Sequence, residues 1–238
     1  MVRGMTIDTN VLIVDSVTKK YKDIKALDEV SFQIENGITA LLGNNGAGKT
    51  TLINFIVGLI EASKGKVALN GIDNAKQGIK FRQRLGYLPQ ECGFYENFTA
   101  LQFLKYMGSI KNVPKKQCMD RIEKYMNKLN LWHVRNKKIG QYSGGMKHRL
   151  GIVQAMLNEP DLLIMDEPTT GLDYAERNAF SDIMKEYSKS HIIIISTHIF
   201  SDVEDIADRV LILKSGKLVC DECLEKGISI REHYKQYF

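Results

Sequence analysis

No stretch of this sequence approaches the roughly 20 consecutive apolar residues that a membrane-crossing helix needs. Its richest apolar run, at 192–195, has only the length of a strand. The run at 11–14 is likewise too short for the core of a secretion signal, so no export signal is expected and attachment to a membrane has to come through a partner. Cysteine is sparse as well. Cys92, Cys118, Cys220 and Cys223 are too few and too scattered for a disulfide framework in a chain of 238 residues, which points to a reducing compartment. Cys220 and Cys223 have the spacing of a metal or redox pair, but no second pair or histidine cluster completes a tetrahedral zinc site, and no role is assigned to them. Charge blocks, low-complexity linkers and internal repeats are also missing. The balance of 33 basic against 28 acidic side chains, a net charge of +5, is compatible with an acidic membrane surface or with nucleic acid and demands neither.

What is present suffices for a core: 44% of the residues are hydrophobic, enough for one large α/β domain or a domain with an inserted lobe. Up to about residue 90, short β-branched runs at 11–14, 30–34, 38–42 and 67–69 alternate with turn residues, and one glycine-rich loop opens a helix at Lys49. From Thr99 to about Pro160 the period becomes helical. Met119, Ile122, Met126 and Leu129 recur every three or four residues behind Pro114, and Met146, Leu150, Val153 and Leu157 form a second stripe behind Ser143. Strand signals return at 162–165, 192–195 and 210–213, with an amphipathic segment at 175–187. Such alternation predicts an α/β fold with a mainly parallel sheet. The expected organisation is a single domain over 1–238: an α/β core from 1–90 and 160–220, a helical subdomain at 91–159, and a tail over 221–238 that carries no motif.

The segment Gly43, Asn44, Asn45, Gly46, Ala47, Gly48, Lys49, Thr50 satisfies G-x-x-x-x-G-K-[ST] between an apolar strand at 38–42 and an apolar helix at 52–59. Its glycines let the backbone wrap a phosphate, with successive N–H groups pointing inward at the positive end of a helix dipole. Lys49 then reaches the β- and γ-phosphates and the Thr50 hydroxyl ligates Mg2+. A plain glycine turn would account for the glycines but not for the Lys-Thr pair. At the end of the buried run LLIMDE, Asp166 and Glu167 stand where ligands of parallel sheets bind. Asp166 suits the metal through water, and Glu167 suits a general base facing the attacking water. Ser143, Gly144 and Gly145 open a further helix, a second anion-binding N-terminus in the same chain. His198, in STH, and Gln90, in LPQ, end two more predicted strands.

Together these residues closely resemble the ATP-binding cassette family, over roughly 11–219. The resemblance implies a P-loop NTPase core with an antiparallel N-terminal β subdomain and an inserted helical subdomain, binding ATP and Mg2+. On that pattern residues 43–50, with Thr51 following, resemble the Walker A loop, Asp166 and Glu167 the Walker B pair, and residues 143–145 the signature. Gln90 resembles the Q-loop residue that joins Thr50 and Asp166 at the metal, Asp173 the D-loop aspartate, His198 the switch histidine that acts in catalysis with Glu167 and Lys49, and Tyr21 the aromatic that stacks on adenine. The family's common signature is LSGGQ, whereas Tyr142 and Met146 stand at its two ends here. A tyrosine-led, methionine-ended signature resembles the branch that serves exporter permeases for drugs, peptides or ions.

The function these features imply is ATP hydrolysis in a head-to-tail pair, as a homodimer or with a second ATPase subunit. That pair would power a separate integral membrane permease from the cytoplasmic face of the membrane. Phe94, Tyr95 and Phe98, just after Gln90, are either partner-facing or local core. One alternative is a soluble cassette protein acting on ribosomes or nucleic acid; such proteins commonly carry two cassettes or a long coiled coil, and no nucleic acid partner is expected here. Another is a regulatory cassette that only binds nucleotide, against which the intact set Lys49, Asp166, Glu167 and His198 argues.

Overall fold

Alternation of apolar and polar residues builds the first sheet. In the computed structural model, which describes residues 9–224 and 229–237, β1 (Val11–Tyr21) buries Leu12, Val14 and Val17, and β2 (Ile24–Glu35) buries Leu27, Val30, Phe32 and Ile34. Each strand turns one face inward, as period-two patterning requires. With β4 (Lys64–Leu69) and β5 (Ile72–Asp73) they form an antiparallel sheet in the order β2-β1-β4-β5. The expected antiparallel N-terminal subdomain is therefore present.

The second sheet contains β3 (Gly37–Leu42), β6 (Leu85–Leu88), β7 (Leu162–Asp166), β8 (Ile192–Ser196), β9 (Arg209–Lys214) and β10 (Lys217–Cys223), in the order β10-β9-β3-β8-β7-β6. All its pairings are parallel except β9 with β10. Every residue of β7 and β8 is buried, which explains why these segments read as continuous apolar runs: both faces of the sheet are covered. On one face lies α1 (Lys49–Ile56) with the first sheet, and on the other the helical lobe, so the core divides into two clusters across the strands. The apolar helix expected at 52–59 stops sooner, because Gly58, at φ 78°, turns the chain left-handed just past α1. Two short elements had no periodic signal, β5 and α2 (Gly78–Gln83).

The lobe consists of α3 (Ala100–Ile110), α4 (Lys115–Lys128) and α5 (Gly144–Met156). Thr99 and Gln102 form a reciprocal capping box at the start of α3, and Pro114 precedes α4. After β7 comes α6 (Tyr174–Tyr187), capped by Asp173 with Glu176. Beyond β9 the chain departs from expectation. Asp221, where a tail without a motif was expected to begin, lies inside β10 opposite Leu211, and α7 (Ile230–Lys235) returns to the body with Ile230 fully buried. Cys220 is buried and Cys223 exposed, both as free thiols. Among the described residues no helix is long and apolar enough to cross a membrane.

Candidate functional site

The phosphate loop leaves the carboxyl end of β3 and enters α1. Gly43 and Gly48 have φ of 153° and 109°, and a Cβ on Gly48 would sit 2.6 Å from the Ala26 carbonyl, so these two positions require glycine on both counts. No side chain caps α1, which leaves its first amides to a ligand. Lys49 curls back over its own loop, its Nζ donating to the carbonyls of Gly43 (2.6 Å) and Asn44 (3.3 Å). Burial lowers the pKa of this amine, although Glu167 and Asp166 pull the other way.

β7 delivers Asp166 and Glu167 to the same edge. Glu167 has a left-handed backbone, φ 53°, a conformation that costs a non-glycine residue roughly 1–2 kcal/mol. β8 and the turn after it hold it there: its N–H donates to the Ser196 carbonyl (2.8 Å), the Thr197 hydroxyl donates to its Oε2 (3.2 Å), and His198 Nδ1 meets its Oε1 at 2.7 Å. Burial, reinforced by the charge of Glu167, pushes the Asp166 carboxyl above its usual range. Thr50, Gln90 and Asp166 border one cavity of about 640 Å³, and their hard oxygen donors fit Mg2+, whose charge would offset that destabilised carboxylate.

This cavity gathers Gly43, Asn44, Asn45, Lys49, Thr50, Gln90, Asp166, Glu167 and His198 from four strand ends. Thr51 lies in the first turn of α1, behind the loop. Tyr21, Ser143, Gly144, Gly145 and Asp173 do not line the cavity. Tyr21 ends β1, about half exposed, in a hairpin fastened to the loop region by Asp28 N–H to Gly216 O and Gly216 N–H to Ala47 O, each 2.9 Å. Ser143 caps α5, accepting from the Met146 N–H, and Gly145 packs so closely on Gly171 that a Cβ would come within 2.6 Å of its carbonyl. Residues 143–145 and the turn before Asp173 therefore touch each other. Arg149, buried, locks that arrangement by donating to Gly145 O and Leu129 O and pairing with Glu176 at 2.8 Å. Tyr142 also points inward, its hydroxyl on the Val134 carbonyl at 2.9 Å, so the aromatic at the head of this signature packs the lobe.

Four further residues border the cavity: Leu42, Thr197, Phe200 and Tyr234. Thr197 is the middle residue of STH and was within reach of sequence reasoning. Tyr234 was not: it sits 190 positions from Asn44, to whose Oδ1 its hydroxyl donates at 2.7 Å, while its ring meets Phe200 edge-on at 4.9 Å. Of the aromatics after Gln90, Phe94 and Phe98 are half-buried on the lobe and Tyr95 is 55% exposed. Phe94 and Tyr95, but not Phe98, line a mainly apolar groove of about 740 Å³ together with Val57, Tyr87, Phe103 and Met107.

Comparison with known proteins places these features. A family model described as ABC transporter matches residues 27–170. An ABC transporter ATP-binding protein of Bacillus subtilis, YxlF, is 39% identical over 208 residues, covering 87% of this chain and 69% of the relative. The bacitracin transport ATP-binding protein BcrA of Bacillus licheniformis is 36% identical over 206 residues, 85% of this chain and 66% of that one. A solved structure of an ATP-binding subunit of an ABC transporter superposes with a TM-score of 0.89 at 30% identity, covering 95% of this chain and 98% of its own.

Proposed function

The chain belongs to the ABC transporter family, whose ATP-binding subunits hydrolyse ATP to drive transport, and from that premise we propose how this subunit works: two copies close head to tail on ATP and Mg2+ and drive export through a separate permease. One observation carries the reading. The cavity gathers Lys49, Thr50, Gln90, Asp166, Glu167 and His198, yet Ser143, Gly144, Gly145 and Asp173 lie together outside it. A second helix N-terminus adds positive potential to a γ-phosphate only where the first loop leaves it exposed, which is the arrangement a second subunit supplies.

Within each site the loop amides cradle the phosphates and Lys49 moves from the Gly43 and Asn44 carbonyls onto them. Thr50, Gln90 and Asp166 would hold Mg2+, which neutralises phosphate charge when bound. Glu167 takes a proton from the attacking water, and His198, already on its Oε1, orients that carboxylate. Tyr21 stacks on the adenine. The apolar groove beside Tyr95 is the site for the permease, an exposed aromatic being poorly accounted for by the core alone. The relative named for bacitracin transport supports a peptide-like or drug-like substrate, and the tyrosine-led signature supports export. The chain then resides on the cytoplasmic face of the membrane.

Glu167→Gln tests the reading. ATP binding persists while turnover falls about 100-fold to 10,000-fold, or about 3–5 kcal/mol of barrier. The ATP-loaded variant accumulates as a dimer in size-exclusion chromatography. Turnover at the wild-type rate would remove Glu167 from its role.

A further inference from the structure

Asp202 takes no part in the chemistry above, yet its carboxylate is almost completely buried, at 2% side-chain exposure. It ends a single 3₁₀ turn, Phe200–Asp202, that follows His198. Its Oδ2 accepts a hydrogen bond from the Thr169 hydroxyl, itself buried, and its Oδ1 accepts from the Arg177 guanidinium at 3.2 Å. Thr169 lies two residues past Glu167. Arg177 lies in the first turn of α6 and also donates its Nε to the Leu172 carbonyl at 3.3 Å, immediately before Asp173. One carboxylate thus joins three turns: the one that carries the base, the one that carries His198, and the one that carries Asp173.

Stability alone is a poor account of such a group. Burying a carboxylate requires several kcal/mol of compensation, and its ionic partner Arg177 is itself 39% exposed, so the pair returns only part of it. Geometry is a better account. A left-handed Glu167 persists only where its surroundings over-determine it, and its three tethers all come from the segment Ser196, Thr197 and His198. The bond from Thr169 to Asp202 is a fourth tie between the same two segments, and Arg177 extends it to the turn before Asp173.

Building on the roles given above to Glu167 and His198, we propose that Asp202 is a positioning residue for hydrolysis. It clasps the Thr169 turn to the His198 turn so that carboxylate and imidazole keep their 2.7 Å contact, and through Arg177 it makes the base sensitive to where the Asp173 turn sits. Asp202 does not line the cavity.

The experiment compares single-site variants of the full chain with MgATP. Asp202→Asn keeps the shape and removes the charge; kcat falls about 10-fold to 100-fold, the range a displacement of about 1 Å in a catalytic group produces, while ATP affinity by direct titration stays within about twofold. Thr169→Val shows the same split and Thr169→Ser, which returns the hydroxyl, restores kcat. In the Glu167→Gln background, Asp202→Asn removes nothing further from the residual single-turnover rate, because a residue that acts through the base has no effect once the base is gone. A merely structural lesion would multiply with Glu167→Gln and would lower affinity as well. Unchanged kcat in Asp202→Asn, full multiplication in the double variant, or equal loss in Thr169→Val and Thr169→Ser overturns the proposal. If Glu167→Gln by itself leaves turnover intact, the base assignment fails instead, and the Thr169 pair still reads the clasp. Should Asp202→Asn not fold, that pair alone decides.

Discussion

The role proposed for Lys49 rests on its place in the loop. Its ammonium donates to the carbonyls of Gly43 and Asn44, which holds the cation at the cavity that Thr50, Asp166 and Glu167 also line. Lys49→Ala removes the one mobile cation and leaves backbone amides. Loss of a charge-assisted contact worth about 1.5–3 kcal/mol weakens ATP binding roughly 10-fold to 100-fold and abolishes hydrolysis, measured by nucleotide titration and phosphate release. Wild-type affinity in this variant would unseat the loop from its role. Lys49, Thr50, Asp166 and Glu167 were legible in the sequence because each belongs to an unbroken motif whose local turn aims it. The strained backbone of Glu167 was not, since its tethers, Thr197 and His198, lie 30 and 31 positions further on.

At the scale of elements, the segment 142–146 that leads into α5 departs at both ends from the signature it resembles, and packing explains each departure. Tyr142 buries its ring in the lobe and anchors its hydroxyl on Val134, while Met146 is half-buried on the same core. What Met146 offers to Ser143 is its backbone N–H, which any residue supplies. Met146→Gln therefore changes ATPase activity less than about threefold and lowers stability by about 1 kcal/mol through lost apolar burial, checked by steady-state turnover and thermal melting. A collapse of activity would place the Met146 side chain in the site itself. The long elements were readable from periodicity: α4 and α5 from their apolar stripes, β7 and β8 from their uninterrupted runs. Short ones such as β5 and α2 were not, because two to six residues hold too little period to register and owe their form to neighbours.

Across the whole molecule, the separation of the phosphate loop from Ser143 is the gap that the proposed head-to-tail pair would close. Mixing Lys49→Ala with Ser143→Arg distributes the lesions so that, in a mixed pair, one composite site carries both and the other neither. Random pairing with independent sites restores roughly a quarter of wild-type turnover, and either variant alone stays near zero. A mixture no more active than its components would show that the sites are not shared.

The sequence alone determined which chemistry the chain carries and roughly where: a triphosphate loop after one strand, two carboxylates after another, a histidine after a third, and a second helix start in an inserted lobe. These are legible because short-range sterics and alternating hydrophobicity act within a few residues. The folded chain alone decided which of those pieces share a cavity, that Gly145 rests on Gly171, that Asp202 clasps Thr169 to Arg177, and that the C-terminal helix lays Tyr234 on Asn44. Each is a contact between segments far apart in the chain, made by sheet order and the meeting of buried faces, and no local pattern encodes which distant partner a side chain will meet.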